Sequence, residues 1–351
     1  MGEEHLHFKG IHKNSDVKER EIVMSLNVLS RNEIFSEESK WRDPGRSEYL
    51  AMYSGVFGGV VTDPALMVIP IDDHIVHRGD GIFEACKCVN GYIYNFDAHL
   101  SRLQRSAELI SMELPFDLSH IKQIVIETVA IAGIKDCTLR IFISRGIGGF
   151  NCEPKECYKS NLYVVVIKTA TIPPHFYTKG ISAVTSRIPP KPPFFAQVKS
   201  CNYLPNALVE MEAERNKVDF TIMLDQQGYL AEAATKSVAI VSKQKVLIYP
   251  KFDNILRGIT ILRAVELAKD LIEKGDLKGT SCTDISQEEA YNSSEMLLFS
   301  TTPNVLPIVK YDGKRIGAGK PGPIFHQLWE LFQKDIRENK KILTPVFKER
   351  N

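Results

Sequence analysis

The sequence predicts an α/β protein of two domains, and three of its features carry that expectation. Short segments rich in β-branched and aromatic residues alternate with longer segments of helical apolar spacing, the pattern of mixed sheets and helices. Near mid-chain, Lys168 to Gly180 carries Pro173-Pro174 and reads as a linker. With 351 residues and 44% hydrophobic content, the chain can fill two cores. The expected division is a polar arm over 1–46, a small α/β domain over 47–170, a linker over 171–180 and a larger domain over 181–351.

The arm is mixed in charge, as in Asp16-Val-Lys-Glu-Arg-Glu21, with no apolar leader core and too many acids for a transit peptide. From Tyr49 to Val61 and from Leu66 to Ile71, β-formers broken by Gly58-Gly59 and Asp63-Pro64 predict strands. Ile82 to Val89 and Gly91 to Asn95 predict a hairpin turning at Asn90-Gly91. Leu100, Leu103, Ala107 and Ile110 recur at helical spacing in a segment starting near Asp97. A second helix runs from near Leu118 to Ala132 and stops at Gly133. Cys137 to Ser144 and Asn161 to Lys168 are near-continuous apolar runs, as buried strands are. Beyond the linker come a strand (Ile181 to Arg187), a helix (Leu204 to Asn216), and strands over Asp219 to Leu224 and Leu230 to Val241. A helix from Gly258 to Lys274, a strand from Glu295 to Ser300 and a terminal helix from Pro323 to Asn339 complete the series.

A formal net charge of +1 gives no field directed at nucleic acid or an anionic membrane, so neither is an expected partner. No apolar run reaches the roughly 18 residues of a membrane span. Seven cysteines, an odd number, suit a reducing compartment, so a cytoplasmic location is expected, with an organelle interior still open. Cys86-Lys-Cys88 and Cys152-x4-Cys157 have no matching second pair, so no metal site is expected.

The chemistry is concentrated around Lys199. It follows the proline-rich approach Ile188-Pro-Pro-Lys-Pro-Pro-Phe-Phe-Ala-Gln-Val198 and opens Lys199-Ser-Cys-Asn-Tyr203-Leu-Pro-Asn. Ala231-Glu232 comes about thirty residues on, and Gly258-Ile259-Thr260 opens an amphipathic helix. An amine, a carboxylate and a helix N-terminus, whose free N–H groups suit a phosphate, are what pyridoxal phosphate needs. Other motifs agree: His77-Arg78-Gly79-Asp80-Gly81-Ile-Phe83-Glu84, His99-Leu-Ser-Arg102-Leu, Leu224-Asp-x-x-Gly228-Tyr-Leu-Ala-Glu232 and Ile255-Leu-x-Gly258-Ile-Thr260. In this order they resemble the class IV (fold-type IV) pyridoxal-phosphate aminotransferases, over about Tyr49 to Pro307. Val198-Lys-Ser-Cys-Asn-Tyr-Leu-Pro-Asn206 is most similar to the plant D-amino-acid transaminase and aminodeoxychorismate lyase branch.

The resemblance implies a small α/β domain, a larger domain with a β-barrel-like core, and a homodimer. It implies that Lys199 forms the Schiff base with the cofactor aldehyde and moves the substrate α-proton. Glu232 is implied to pair with the pyridine nitrogen and Tyr203 to face the ring oxygen. Arg78, Ile259, Thr260 and Thr301 are implied on the phosphate side. Arg102 reads as part of a solvated helix face, His74 and His77 as structural, and Arg140 or Arg145 as a reach toward the substrate carboxylate. Departures stand out in Glu232-Ala233-Ala-Thr-Lys-Ser237, where relatives carry glycine after the glutamate and asparagine in place of Ser237. The paired arginines of branched-chain enzymes and the Arg-x-His carboxylate trap of bacterial D-amino-acid enzymes are both missing. With no dedicated clamp, backbone N–H groups of Gly146 to Gly149, with Arg145 or Arg187, are the expected carboxylate donors. The leading expectation is a transaminase acting on a small D- or L-amino acid and a 2-oxo acid. The alternatives are an aminodeoxychorismate lyase and a weakened relative with a binding role.

Overall fold

The computed structural model describes residues 30–34 and 44–347. Most of the arm expected over 1–46 therefore lies outside the described residues; within it, Arg31–Ile34 form one helical turn.

Two sheets organise the chain from Tyr49 onward. The first holds β1 (Tyr49–Ser54), β2 (Gly59–Val61), β3 (Gly81–Val89), β4 (Tyr92–Tyr94), β5 (Cys137–Ser144) and β6 (Asn161–Lys168) in the antiparallel order β4-β3-β5-β6-β1-β2. The second holds β7 (Ile181–Thr185), β8 (Phe220–Leu224), β9 (Leu230–Ala233), β10 (Ser237–Val241), β11 (Val246–Tyr249), β12 (Gly279–Cys282), β13 (Glu295–Ser300), β14 (Asn304–Tyr311) and β15 (Lys314–Arg315). The order β10-β13-β14-β7-β8-β9 closes on itself where Ser237 pairs with Glu232, giving the barrel-like core. A last strand, β16 (Leu343–Pro345), returns to the first sheet and pairs with β4.

Burial on two faces explains the unbroken apolar runs. Val238, Ile240, Met296 and Leu298 point into the barrel, whereas Ala239, Val241, Leu297 and Phe299 pack under the helices Ile259–Glu273 and Pro323–Glu338. The first sheet buries its face under Phe96–Leu109 and Leu118–Ala132, through Leu100, Leu103, Ile121, Val125 and Val129. Leu103 is fully buried, and truncating it to alanine would cost about 3 kcal/mol.

Several boundaries differ from expectation. Leu66 to Ile71 is not a strand: Asp63 caps the short 3-10 turn Pro64–Leu66, and the two flanking prolines, Pro64 and Pro70, offer no N–H to a ladder. Leu230 to Val241 is two strands, parted by a turn over Ala234 to Lys236. The linker contains one helical turn, Pro174–Thr178. Strands β11, β12 and β14 to β16 stand where the sequence reading predicts none.

Candidate active site

Residues from both sheets line a cavity of about 380 Å³. Lys199 reaches it from a loop stitched to the start of β3. The Phe83 N–H donates to Lys199 O at 2.9 Å, and the Cys201 N–H donates to Gly81 O at 2.8 Å. Gly79 permits this docking: it takes φ +64°, and a Cβ there would stand 2.5 Å from Asn202 Oδ1.

In the cavity, Lys199 Nζ lies 3.1 Å from the Tyr203 hydroxyl and 4.4 Å from the centre of the Phe83 ring. Burial, with help from the Arg102 charge, pushes its amine down to about 7. Near neutral pH a large share of this amine is therefore the free base, which is the nucleophilic form.

Glu232 lines the same cavity. Simple alternation would group it with Leu230 and Ala234. Instead the β8–β9 register slips, with Ile222 opposite Ala233 but Leu224 opposite Leu230. This bulge leaves Leu230 and Ala233 in the barrel and turns Glu232 to the cavity. Burial raises its carboxyl to about 7, with the Lys191 and Lys199 charges pulling the other way. No cation lies close enough to form an ion pair with it among the described residues, so it is ready to accept one. The departures around it are accommodated. Ala233 is buried in the strand, and Ser237 packs so closely on Gly258 that a Cβ at the glycine would stand 2.3 Å from Ser237 Oγ.

One end of the cavity is suited to an anion. The helix Ile259–Glu273 begins there with no side-chain cap, leaving first-turn N–H groups free. Ile259, Thr260 and Thr301 all line it. Arg78 does not: its guanidinium donates to the carbonyls of His77, Phe150 and Asn151, away from the cavity. Arg102 does line the cavity, and its Nη1 donates at 3.2 Å to Arg257 O, beside the helix start. It is not a solvated residue. Glu84, fully buried, accepts Arg102 Nε and Nη2 at 2.7 Å each and meets His99 Nδ1 at 2.7 Å. Burial pushes the Glu84 carboxyl up, but Arg102 and His99 outweigh it and hold it at about 2. The three-residue spacing of His99 and Arg102 puts both on one helix face, but their capture by Glu84 on β3 is a tertiary contact that the spacing does not show.

The cavity is also lined by Arg140, Lys191 and Lys236. Arg140 makes no side-chain hydrogen bond or ion pair among the described residues. Lys191 Nζ lies 5.1 Å from the centre of the Tyr203 ring, and Lys236 Nζ 4.2 Å from that of Phe220. The expected donors are elsewhere. Arg145 is held by Asp80 at 3.0 Å and by the carbonyls of Ile110 and Ser111, Arg187 is exposed, and Gly146 to Gly149 do not line the cavity.

A desolvated amine, a carboxylate without a cation and an open helix N-terminus in one cavity fit pyridoxal phosphate. Fold and site together define a pyridoxal-phosphate-dependent enzyme. The profile of the amino-transferase class IV family matches residues 81–311. A D-amino-acid transaminase, chloroplastic, of Arabidopsis thaliana is 44% identical over 295 residues, covering 84% of this chain and 78% of that protein. A D-alanine aminotransferase of Bacillus licheniformis is 26% identical, covering 80% and 96%. Among solved structures, the branched-chain amino acid aminotransferase of Thermobaculum terrenum in its PLP-form has the same fold, with a TM-score of 0.74 at 22% identity, covering 86% of this chain and 99% of that one. The chain belongs to the class IV aminotransferase family.

Proposed function

We propose that this enzyme transfers the amino group of a small amino acid, of either hand, to a 2-oxo acid, with Lys199 as covalent anchor and proton carrier. The observation that carries the reading is the Lys199 amine, desolvated, in contact with the Tyr203 hydroxyl, and sharing its cavity with Glu232. When bound, pyridoxal phosphate supplies an electron-withdrawing ring that accepts the electrons released as the substrate α-C–H bond breaks. Glu232 holds a proton at the pyridine nitrogen, and Tyr203 donates toward the ring oxygen. Thr260, Thr301, Arg102 and the N–H groups that follow Gly258 hold the phosphate. Lys199, as free base, would take the proton from the substrate α-carbon and deliver it to the cofactor carbon that bore the aldehyde, two bonds away. Arg140, the unpaired guanidinium in the wall, takes the substrate carboxylate. The 44% identity to a D-amino-acid transaminase supports a D-amino acid among the donors.

Purified enzyme titrated with amino donors tests this reading. Conversion of its absorbance to the pyridoxamine form, with release of the 2-oxo acid, is expected for small D- and L-amino acids. Pyruvate release from aminodeoxychorismate without that conversion would replace it with lyase action.

We also propose a homodimer. Ile71, Phe150 and Tyr158, at 69%, 60% and 83% exposure, are large apolar side chains left in water, with the Phe150 ring tilted against that of His77 at 4.9 Å between centroids. Light scattering should give twice the chain mass of 39.6 kDa; a fully active monomer would refute it. No helix among the described residues is long and apolar enough to cross a membrane. The seven cysteines, free in the structure, support a reducing compartment such as the cytoplasm.

A further inference from the structure

Lys87 is a buried cation that the chemistry above leaves unused. It follows Phe83 and Ala85 on the cavity side of β3 and is 6% exposed. Its amine donates to Asn304 Oδ1 and lies 5.4 Å from the centre of the Tyr94 ring. Among the described residues no carboxylate offsets the cost of this burial, which pushes the amine down to about 7. Burying an unneutralised amine is costly, so filling the space is not by itself a reason for a lysine here.

Its partner does. Asn304 closes the turn Thr301-Thr302-Pro303 between β13 and β14 in a left-handed conformation, φ +65°. Those three turn residues line the cavity. Two ties hold the turn to β3: Thr301 Oγ1 donates to Ala85 O at 3.3 Å, and Lys87, two residues on, holds Asn304. The contacts continue through Tyr94, away from the cavity lining, to the helix Ile259–Glu273. The Tyr94 hydroxyl donates to Asp335 at 2.5 Å, and Asp335 accepts Arg263 Nε at 2.9 Å, from that helix.

We infer that Lys87 is a positioning residue for cofactor retention: by holding Asn304 it fixes the Thr301 turn against the cofactor phosphate. The inference rests on the proposed placement of the phosphate beside Thr301 and Thr260. Dissociation constants for pyridoxal phosphate and melting temperatures of stripped and loaded protein test it together. Lys87→Met should weaken cofactor binding about ten- to a hundredfold, while the stripped protein melts at the same or a higher temperature. Asn304→Gly keeps the left-handed backbone but removes the amide; it should match that loss, and the double variant should lose nothing further. Unchanged affinity in Lys87→Met, a lower melting temperature of its stripped form, or additive losses in the double variant would overturn the inference. Thr301→Val separates the two readings. If it leaves affinity unchanged, the phosphate placement itself fails; if it weakens binding while Lys87→Met does not, only the role of Lys87 fails.

Discussion

The two ends of the cavity are built differently. At the proposed phosphate end, charge is already organised: Arg102 is clamped by Glu84, Glu84 meets His99, and the guanidinium is tied to the backbone beside the open helix terminus. Where we propose that the substrate binds, Arg140, Lys191 and Lys236 enter the cavity with ring faces or nothing against them, and among the described residues only Lys236 has a carboxylate as near as 4.0 Å, that of Glu210. The first end is preorganised for one fixed ligand. The second leaves its cations to be neutralised by whatever acid arrives.

Substitutions along the cavity should grade accordingly. Lys199→Ala removes both anchor and base, and turnover should fall by about 10⁴-fold or more, while phosphate-anchored cofactor binding persists in an absorbance titration. Glu232→Gln cannot hold the ring nitrogen protonated; kcat should drop about 10²-fold with cofactor affinity nearly kept. Near-full activity in that variant would remove Glu232 from the site. Arg140→Gln should raise KM for the amino acid about tenfold or more with little change in kcat, whereas Arg145→Gln, whose partner is Asp80, should leave KM near its original value. A smaller change is expected with pH. The amine of Lys199 sits near 7, below its ordinary value, so it becomes the unreactive ammonium as pH falls through 7. The rate at which stripped enzyme captures pyridoxal phosphate covalently should therefore fall below pH 7 and level off above it. The smallest effect belongs to Lys236→Met, about fivefold or less on KM, because that amine already rests on Phe220 and near Glu210.

How far the sequence could be read follows the same divide. Helices with sustained apolar spacing and a defined stop, such as Leu118–Ala132 ending at left-handed Gly133, were legible because the cause is local. So was the set Lys199, Tyr203, Glu232, Ile259, Thr260 and Thr301, which the fold brings to one cavity. Arg78 and Arg102 could not be told apart by charge alone. The choice depends on which one Glu84 captures, and that contact crosses from strand to helix. The bulge that aims Glu232 was equally hidden, since it arises in the pairing of β8 with β9 and not within either segment. Arg140 and Arg145 lie on and beside the same strand, and only the tertiary contact with Asp80 decides between them.

Lys199 is the amine we propose to carry the cofactor. Three lysines line the cavity, so the claim has real competitors in Lys191 and Lys236. Borohydride reduction of the loaded enzyme followed by peptide mapping tests it most directly. The pyridoxyl label is expected on Lys199 alone; a label on Lys191 or Lys236 would contradict the account.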